Sequence, residues 1–147
     1  MDIILETSAV FFSALLSATL IPATSEAVLI ATVLNGDTNL WLLALIATFG
    51  NTAGAIINWA IGIFLSGLSE KSWFPIKKKM IVKAEDYFKK YGVWSLLFSW
   101  LPIIGDPLTV VAGYLKVPFL TFCLLVCLGK GARYFFIAQF FSGSWHL

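Results

Sequence analysis

Four long apolar segments alternate with short polar stretches along the chain. They cover residues 8–34, 40–66, 93–115 and 117–141. Each segment is long enough to cross a bilayer, which takes about 20 apolar residues in a helix. Inside a membrane the backbone polar groups must be satisfied within the protein, which favours helices over open sheets. The pattern therefore predicts an all-α membrane protein.

The composition also indicates an integral membrane domain. Only 12% of the 147 residues are charged, whereas about a quarter of a soluble domain is charged. The length predicts one domain that covers residues 1–147. The first residues, MDIILE, lack the basic region of a signal peptide, so we expect no removable leader.

The sequence contains little material for a metal site or a catalytic triad. His146 is the single histidine of the chain. Cys123 and Cys127 stand in an apolar segment, where thiols usually act as small apolar fillers. We therefore expect no metal, no cofactor and no enzyme activity, and we expect no nucleic-acid partner.

Most of the charges are concentrated in one block. Ten of the eighteen charged residues lie between Glu70 and Lys90. Residues 75–92 place aromatic and apolar side chains on one helical face and lysines on the other, which is typical of a helix in the membrane interface. Six lysines against two acids place this linker helix, at about 72–92, on the cytoplasmic side. A solvated basic loop without membrane contact is the alternative.

The chain contains a weak internal repeat. IPATSEAVLIAT (21–32) aligns with LPIIGDPLTVVA (101–112), and further along Gly50-Asn51 aligns with Gly129-Lys130. Many transporters consist of two such repeats, with the substrate site where broken helices of the two repeats meet. Chance similarity between apolar segments is the alternative explanation.

Each repeat has a helix break in its first segment. Pro22 and Pro102 interrupt these segments, because proline lacks a backbone donor and clashes with the preceding turn. Gly105 and Pro107 mark the start of a second half-helix, for which Asp106 is the predicted cap. Broken backbone cannot face lipid, so both breaks must be buried in protein or line a wet cavity.

The breaks predict that each first segment is a re-entrant helical hairpin that returns to its own side of the membrane. A transmembrane helix follows each hairpin, so that the repeats cover about 8–66 and 93–143 and are joined by the cytoplasmic amphipathic helix. Both termini then lie on the side of the membrane opposite the cytoplasm. The alternative is four fully spanning segments with both termini in the cytoplasm.

Four charged side chains fall within the apolar segments, namely Glu26, Asp106, Lys130 and Arg133. An unpaired charge at mid-membrane costs roughly 2.5–3.5 kcal/mol, so we expect the two acids to pair with the two bases. Intramembrane ionisable groups usually mark a pathway, and these four are the predicted substrate or proton pathway. A purely structural role in pairing and helix capping is the alternative.

The second apolar segment carries two further kinds of signal. Gly50, Gly54 and Gly62 recur at multiples of four residues, which predicts close helix packing. Asn51 and Asn58 need hydrogen-bond partners inside a membrane. We predict that both asparagines belong to the same pathway as the four charges.

With these residues in view, the chain resembles the DedA family, also called the SNARE-associated or VTT-domain membrane proteins, and most nearly its short YqaA branch. The stretches that carry the resemblance are LSATLIPATSEAVLIA, GNTAGAIINWAIG, KKYGVWSLLFSWLPIIGDPLTVVAGYLK and CLGKGARYF. The resemblance implies two re-entrant hairpins that point at each other and a role in membrane lipid homeostasis. Some members translocate lipids or undecaprenyl phosphate, and proton coupling has been proposed for some. Members often carry arginines at the positions of Ser99 and Gly105.

Together these features predict a transporter in the bacterial inner membrane that moves a lipid or a lipid-linked anion, with proton coupling as an option. The N-termini of the half-helices attract anions, and Lys130 and Arg133 add positive charge. A proton- or cation-coupled carrier of a small solute is one alternative, and a membrane organiser that transports nothing is another. The expected partners are membrane lipids and further copies of the chain in a homo-oligomer.

Overall fold

The regular structure is helical throughout the ranges that the computed structural model describes, which are residues 3–18, 24–35, 39–68, 78–101 and 104–143. This confirms the predicted all-α class. The elements in chain order are α1 (Ile3–Ser17), α2 (Thr24–Asn35), α3 (Leu40–Ser66), α4 (Lys78–Tyr91), a 3₁₀ helix (Gly92–Trp100), α5 (Gly105–Tyr114) and α6 (Phe119–Gly143).

Two helices of the described residues, α3 and α6, are long and apolar enough to cross a membrane. They contain 27 and 25 residues, so α3 is about 40 Å long at 1.5 Å per residue. The bounds of α3 match the predicted segment. The helix starts there because the Asn39 side chain accepts hydrogen bonds from the backbone N–H groups of Trp41 and Leu42, at 2.9 and 3.4 Å.

Both predicted segments with a break contain two separate helices. α1 ends at Ser17 and α2 begins at Thr24, while the 3₁₀ helix ends at Trp100 and α5 begins at Gly105. Pro22 and Pro102, to which the breaks were assigned, lie outside the described residues. The helices that flank them therefore support an interruption of each segment, whatever its cause.

The predicted cap of α5 is wrong. Ile104 occupies the N-cap position without a side-chain hydrogen bond, and Gly105 is the first helical residue. Pro107 lies in the first turn, where a missing N–H costs nothing because that N–H has no acceptor within the helix. Asp106 lies two residues after the cap position, and its carboxylate bonds to Lys130 on α6 instead.

The first half of the second broken segment also differs from the expected α-helix. Residues 92–100 form a 3₁₀ helix of nine residues, which is long for this tighter and less favourable geometry. Gly92 has a φ of 60°, which favours glycine and ends α4 at the position predicted from the sequence. α4 itself covers the later part of the predicted linker helix, whose residues 72–77 lie outside the described ranges.

α3 is the central helix of the fold, since it contacts α1, α2, α5 and α6. It contributes to two hydrophobic cores. One core joins α1, α2, α3 and α6 and contains the buried residues Val10, Ala14, Leu29, Leu43, Ala44, Ala47, Tyr134 and Ala138. The other joins α3, the 3₁₀ helix, α5 and α6 and contains Ala55, Leu96, Leu108, Ala112, Val117, Phe122, Leu125 and Val126.

Glycines let the backbones of neighbouring helices approach α3 closely. A Cβ at Gly50 would lie 2.5 Å from the Phe11 carbonyl oxygen of α1, and one at Gly54 would lie 2.5 Å from the Ala18 Cβ. A Cβ at Gly62 would collide with the Val110 carbonyl oxygen of α5. The glycines therefore hold α1 and α5 against α3, in the manner expected of small residues between membrane helices.

We expect Gly54→Ala to destabilise the protein by about 1–3 kcal/mol, the usual cost of forcing extra volume into a packed contact. The matched control is Gly67→Ala, because a Cβ at Gly67 would meet its nearest atom, the Phe64 carbonyl oxygen, at an ordinary 3.5 Å. Denaturant unfolding of the purified proteins in one detergent measures both. Equal stability of the two variants would show that α1 does not pack on α3 as described.

Candidate functional site

The four charged residues that the sequence places in apolar segments come from three helices. Lys130 and Arg133 lie on α6, three residues apart and therefore on one side of that helix. Glu26 lies in the first turn of α2, and Asp106 lies in the first turn of α5. Because α2 and α5 each begin just after a break, the two acids mark the two breaks and α6 supplies the bases between them.

Arg133 joins the elements beside both breaks. Its Nε and Nη2 atoms lie 2.7 and 2.5 Å from Oε1 of Glu26. Its Nη1 atom donates a hydrogen bond of 2.9 Å to the carbonyl oxygen of Trp100. Trp100 is the last residue of the 3₁₀ helix. A cation is favourable there, because the last carbonyl groups of a helix lack partners within it. The two side chains of the ion pair remain 18% and 28% exposed.

Lys130 is more deeply buried, with 4% of its side chain exposed. Its Nζ atom lies 3.3 Å from Oδ1 of Asp106 and also donates to Oδ1 of Asn51. A buried ammonium group needs such partners, because leaving it unpaired would cost several kcal/mol of desolvation. The prediction that the two acids pair with the two bases is confirmed, with Lys130 on Asp106 and Arg133 on Glu26.

A chain of hydrogen bonds continues from Lys130 towards the first break. Asn51 Nδ2 donates to the Tyr134 hydroxyl at 2.7 Å, which lies 2.8 Å from the Ser25 hydroxyl. Ser25 in turn donates to Ser17 at 3.2 Å. Since the Tyr134 oxygen accepts from Asn51, its one hydrogen is available to Ser25. Each hydrogen bond in this chain is therefore donated in the same direction, from the Lys130 ammonium group towards Ser17 at the end of α1.

Asn58 lies about two turns from Asn51 along α3, outside the charged cluster. Its Nδ2 atom donates to the carbonyl oxygen of Ala18, at 2.7 Å, and to the hydroxyl of Thr109, at 3.3 Å. Asn58 thus ties the residue after α1 to α5. Both asparagines connect the two halves of the chain, but only Asn51 contacts a charged side chain.

Sequence reasoning missed several members of this site. Tyr134 is fully buried and bonds to both Asn51 and Ser25. Its position four residues after Lys130 was the available signal, because residues at that spacing share a helix face. The contact of Trp100 could not be found in this way, since it is made by a main-chain carbonyl.

A cavity of about 480 Å³ lies beside the Arg133–Glu26 pair. Its lining residues are Glu26, Trp100, Gly129, Ala132, Arg133, Phe136 and Ile137. The cavity is apolar apart from the charged pair, so it suits an amphiphile with a charged group and a hydrocarbon part. Within the described ranges, no three His, Cys, Asp or Glu side chains are grouped closely enough to hold a metal ion.

The sequence matches the VTT domain over residues 21–143, which is most of the chain. It is 39% identical over 130 residues to the inner membrane protein YqaA of Escherichia coli K12, covering 87% of this chain and 85% of that protein. It is 36% identical over 131 residues to an uncharacterized protein of Haemophilus influenzae, covering 84% of this chain and 80% of that protein.

A more distant match is to undecaprenyl phosphate transporter A of Staphylococcus aureus. The two are 33% identical over 58 residues, which cover 39% of this chain and 29% of that protein. No solved structure matches the chain. The extent of the domain match and the identity to YqaA confirm the resemblance drawn from the sequence: the chain belongs to the VTT-domain (DedA) family and is an inner-membrane protein.

Proposed function

We propose that the protein moves an anionic lipid or a lipid-linked anion across the inner membrane. The observation that carries this proposal is the cavity beside Arg133, in which a guanidinium group stands at the edge of an apolar space. Phosphate is well matched to this group, because arginine presents planar, paired N–H donors to two oxygens at once. Phe136 and Ile137 would then contact the hydrocarbon part.

Glu26 is the internal counter-ion that such a substrate has to replace. In the described state it occupies two of the nitrogen atoms of Arg133, Nε and Nη2. An incoming phosphate would take over these donors, and the released carboxylate would take up a proton instead of remaining charged in a membrane. Anion binding and protonation of Glu26 would thus be linked, and Glu26 would be the residue that couples transport to protons.

The proposed architecture is a single membrane domain of two inverted repeats with re-entrant hairpins. Two observations support it. Gly50 packs against the carbonyl of Phe11 on α1, and its repeat equivalent Gly129 packs against the carbonyl of Leu97 on the 3₁₀ helix. Asn51 and Lys130, which also occupy equivalent positions, hydrogen-bond to each other. Contact between equivalent residues is expected near a twofold axis that relates two repeats.

Family members often carry arginines at two positions where this protein has no room for an arginine side chain. Ser99 and Gly105 are buried, and a Cβ at Gly105 would collide with the Ser99 carbonyl oxygen. Arg133 instead delivers positive charge from α6 to the neighbouring Trp100 carbonyl. We infer that Arg133 takes the place of these arginines, and the distant likeness to an undecaprenyl phosphate transporter is in keeping with a lipid phosphate as cargo.

The lining of the cavity favours this proposal over a cation-coupled carrier of a small solute. The two acids and two bases balance each other, so the distinction comes from the cavity, whose Trp100, Phe136 and Ile137 lining suits a hydrocarbon chain better than a small polar solute. We also propose a carrier rather than an enzyme, because the described site pairs acids with bases and presents no activated nucleophile. Its partners would be membrane lipids, and a homo-oligomer would help to enclose the pathway.

Re-entrant hairpins make a testable prediction about topology. If α1–α2 and the 3₁₀ helix–α5 pair each return to their own side, only α3 and α6 cross, and Met1 and Leu147 both lie in the periplasm. Activity reporters fused to each terminus measure this, and a cysteine introduced at the exposed Lys83 should be labelled only from the cytoplasm. Two cytoplasmic termini would contradict the hairpins.

Transport in vesicles tests the proposed function. We expect Arg133→Gln to slow translocation of a fluorescent phosphate-headed lipid by about 10–100-fold, because charge-assisted hydrogen bonds to the cargo are worth about 1.5–3 kcal/mol. Lys116→Gln is the matched control, since it removes an exposed cation outside the cavity. Translocation at an unchanged rate in Arg133→Gln would contradict the proposal.

Glu26 variants separate its proton uptake from its structural pairing. Glutamine can still accept hydrogen bonds from Arg133 but cannot bind and release a proton. We therefore expect Glu26→Gln to insert and fold, and to lose the pH dependence of transport together with most of the rate. Glu26→Asp keeps a titratable group and should retain part of both. A Glu26→Gln protein with normal transport and normal pH response would leave the residue a structural role alone.

A further inference from the structure

The outer surface of α4 carries a small cleft that the proposed transport does not use. It has a volume of about 420 Å³ and is lined by Lys83, Asp86, Tyr87, Lys90 and Tyr91. The two tyrosines are 53% and 48% exposed, and their rings stack with centroids 6.0 Å apart. The Lys90 ammonium lies 5.2 Å from the centroid of the Tyr91 ring. Aromatic rings and lysines thus form one surface on this helix.

α4 packs on the rest of the protein in an orientation that leaves this surface facing outwards. Phe88 is half-buried and packs against the core formed with Leu96 and Leu108, and α4 contacts the 3₁₀ helix and α5. At 100° per residue, Tyr91 and Tyr87 lie on the helix between Phe88 and the two lysines of the cleft. The order around the helix is therefore core, aromatic rings, then charge, which is how an interfacial helix meets the headgroup layer.

We propose that this cleft binds the headgroup of an anionic phospholipid of the cytoplasmic leaflet. Two lysines against the single carboxylate of Asp86 leave a net positive charge, which attracts an anionic headgroup. Tyrosine is enriched at this depth because its ring is apolar and its hydroxyl is polar, so Tyr87 and Tyr91 can donate to phosphate oxygens. The lysine stems can extend so that their ammonium groups reach the same layer.

The neighbouring surface suits the acyl chains of the same lipid. Trp94 and Phe98 on the 3₁₀ helix are 66% and 54% exposed, and this helix directly follows and contacts α4. Large exposed aromatic side chains on the helix that adjoins α4 are typical of a surface that faces a membrane. The proposal concerns a lipid that anchors α4 and does not rest on the cargo or on the cavity at Arg133.

Native mass spectrometry of the purified full-length protein tests this site by counting bound lipids during titration. We expect phosphatidylglycerol to bind more tightly than phosphatidylcholine. Removing one lysine from an anionic lipid contact weakens binding about fivefold, so Lys83→Gln with Lys90→Gln should weaken the phosphatidylglycerol site about thirtyfold. Asp86→Asn should tighten it, because it removes the opposing charge.

Lys89→Gln is the matched control. Lys89 is exposed on the same helix and carries the same charge, but it does not line the cleft. We expect less than a twofold change in this variant. All the altered side chains are exposed, and elution of each variant at the wild-type volume on size exclusion verifies its fold.

Three results would overturn the proposal. One is an equal loss of affinity in Lys89→Gln, which would mean a diffuse charge effect. Another is equal binding of the two lipids, or an Asp86→Asn protein that binds phosphatidylglycerol no better than wild type. The third is displacement of the lipid by millimolar glycerol phosphate, which would make a soluble phosphate the ligand.

Discussion

A charge inside a membrane has to be compensated by the protein, and the fold is organised around this constraint. Lys130 and Arg133 lie on one side of α6, a helix long and apolar enough to cross a membrane. Each finds an acid at the start of a different half-helix, so that compensation requires both broken segments to converge on α6. The two broken segments and α6 are therefore linked by two ion pairs. Removing one charged member of a pair would leave the charge of the other member uncompensated.

α3 provides the scaffold on which this arrangement is built. Its glycines admit α1 and α5 to van der Waals distance of its backbone, and its two asparagines connect the halves of the chain. Asn51 accepts from Lys130 and donates to Tyr134, so the amide carries the hydrogen-bond chain from the second break to the first. The same helix therefore supplies both the close packing of α1 and α5 and the hydrogen bonds between the two halves of the chain.

Sequence periodicity predicted the parts of the fold that depend on local composition. The ends of α3 matched because an asparagine caps it and a continuous apolar run defines its length. The pairing of the four charges was also accessible, since unpaired charges at that depth are too costly. The predicted role of Asp106 as a cap was wrong. Its carboxylate accepts a hydrogen bond from Lys130 on α6, and local sequence does not show which distant helix packs against α5. The 3₁₀ helix and the Trp100 carbonyl contact depend on tertiary packing and have no side-chain pattern.

The most direct test of charge compensation is a double-mutant cycle between Asp106 and Lys130, with unfolding free energies measured in bilayers. Breaking a buried pair from either side costs about 3–5 kcal/mol, because the other charge is left uncompensated. We predict that Asp106→Asn and Lys130→Met each destabilise the protein by about this amount, while the double variant loses less than the sum by more than 1 kcal/mol. Strictly additive losses would show that the two residues act independently and would contradict the account.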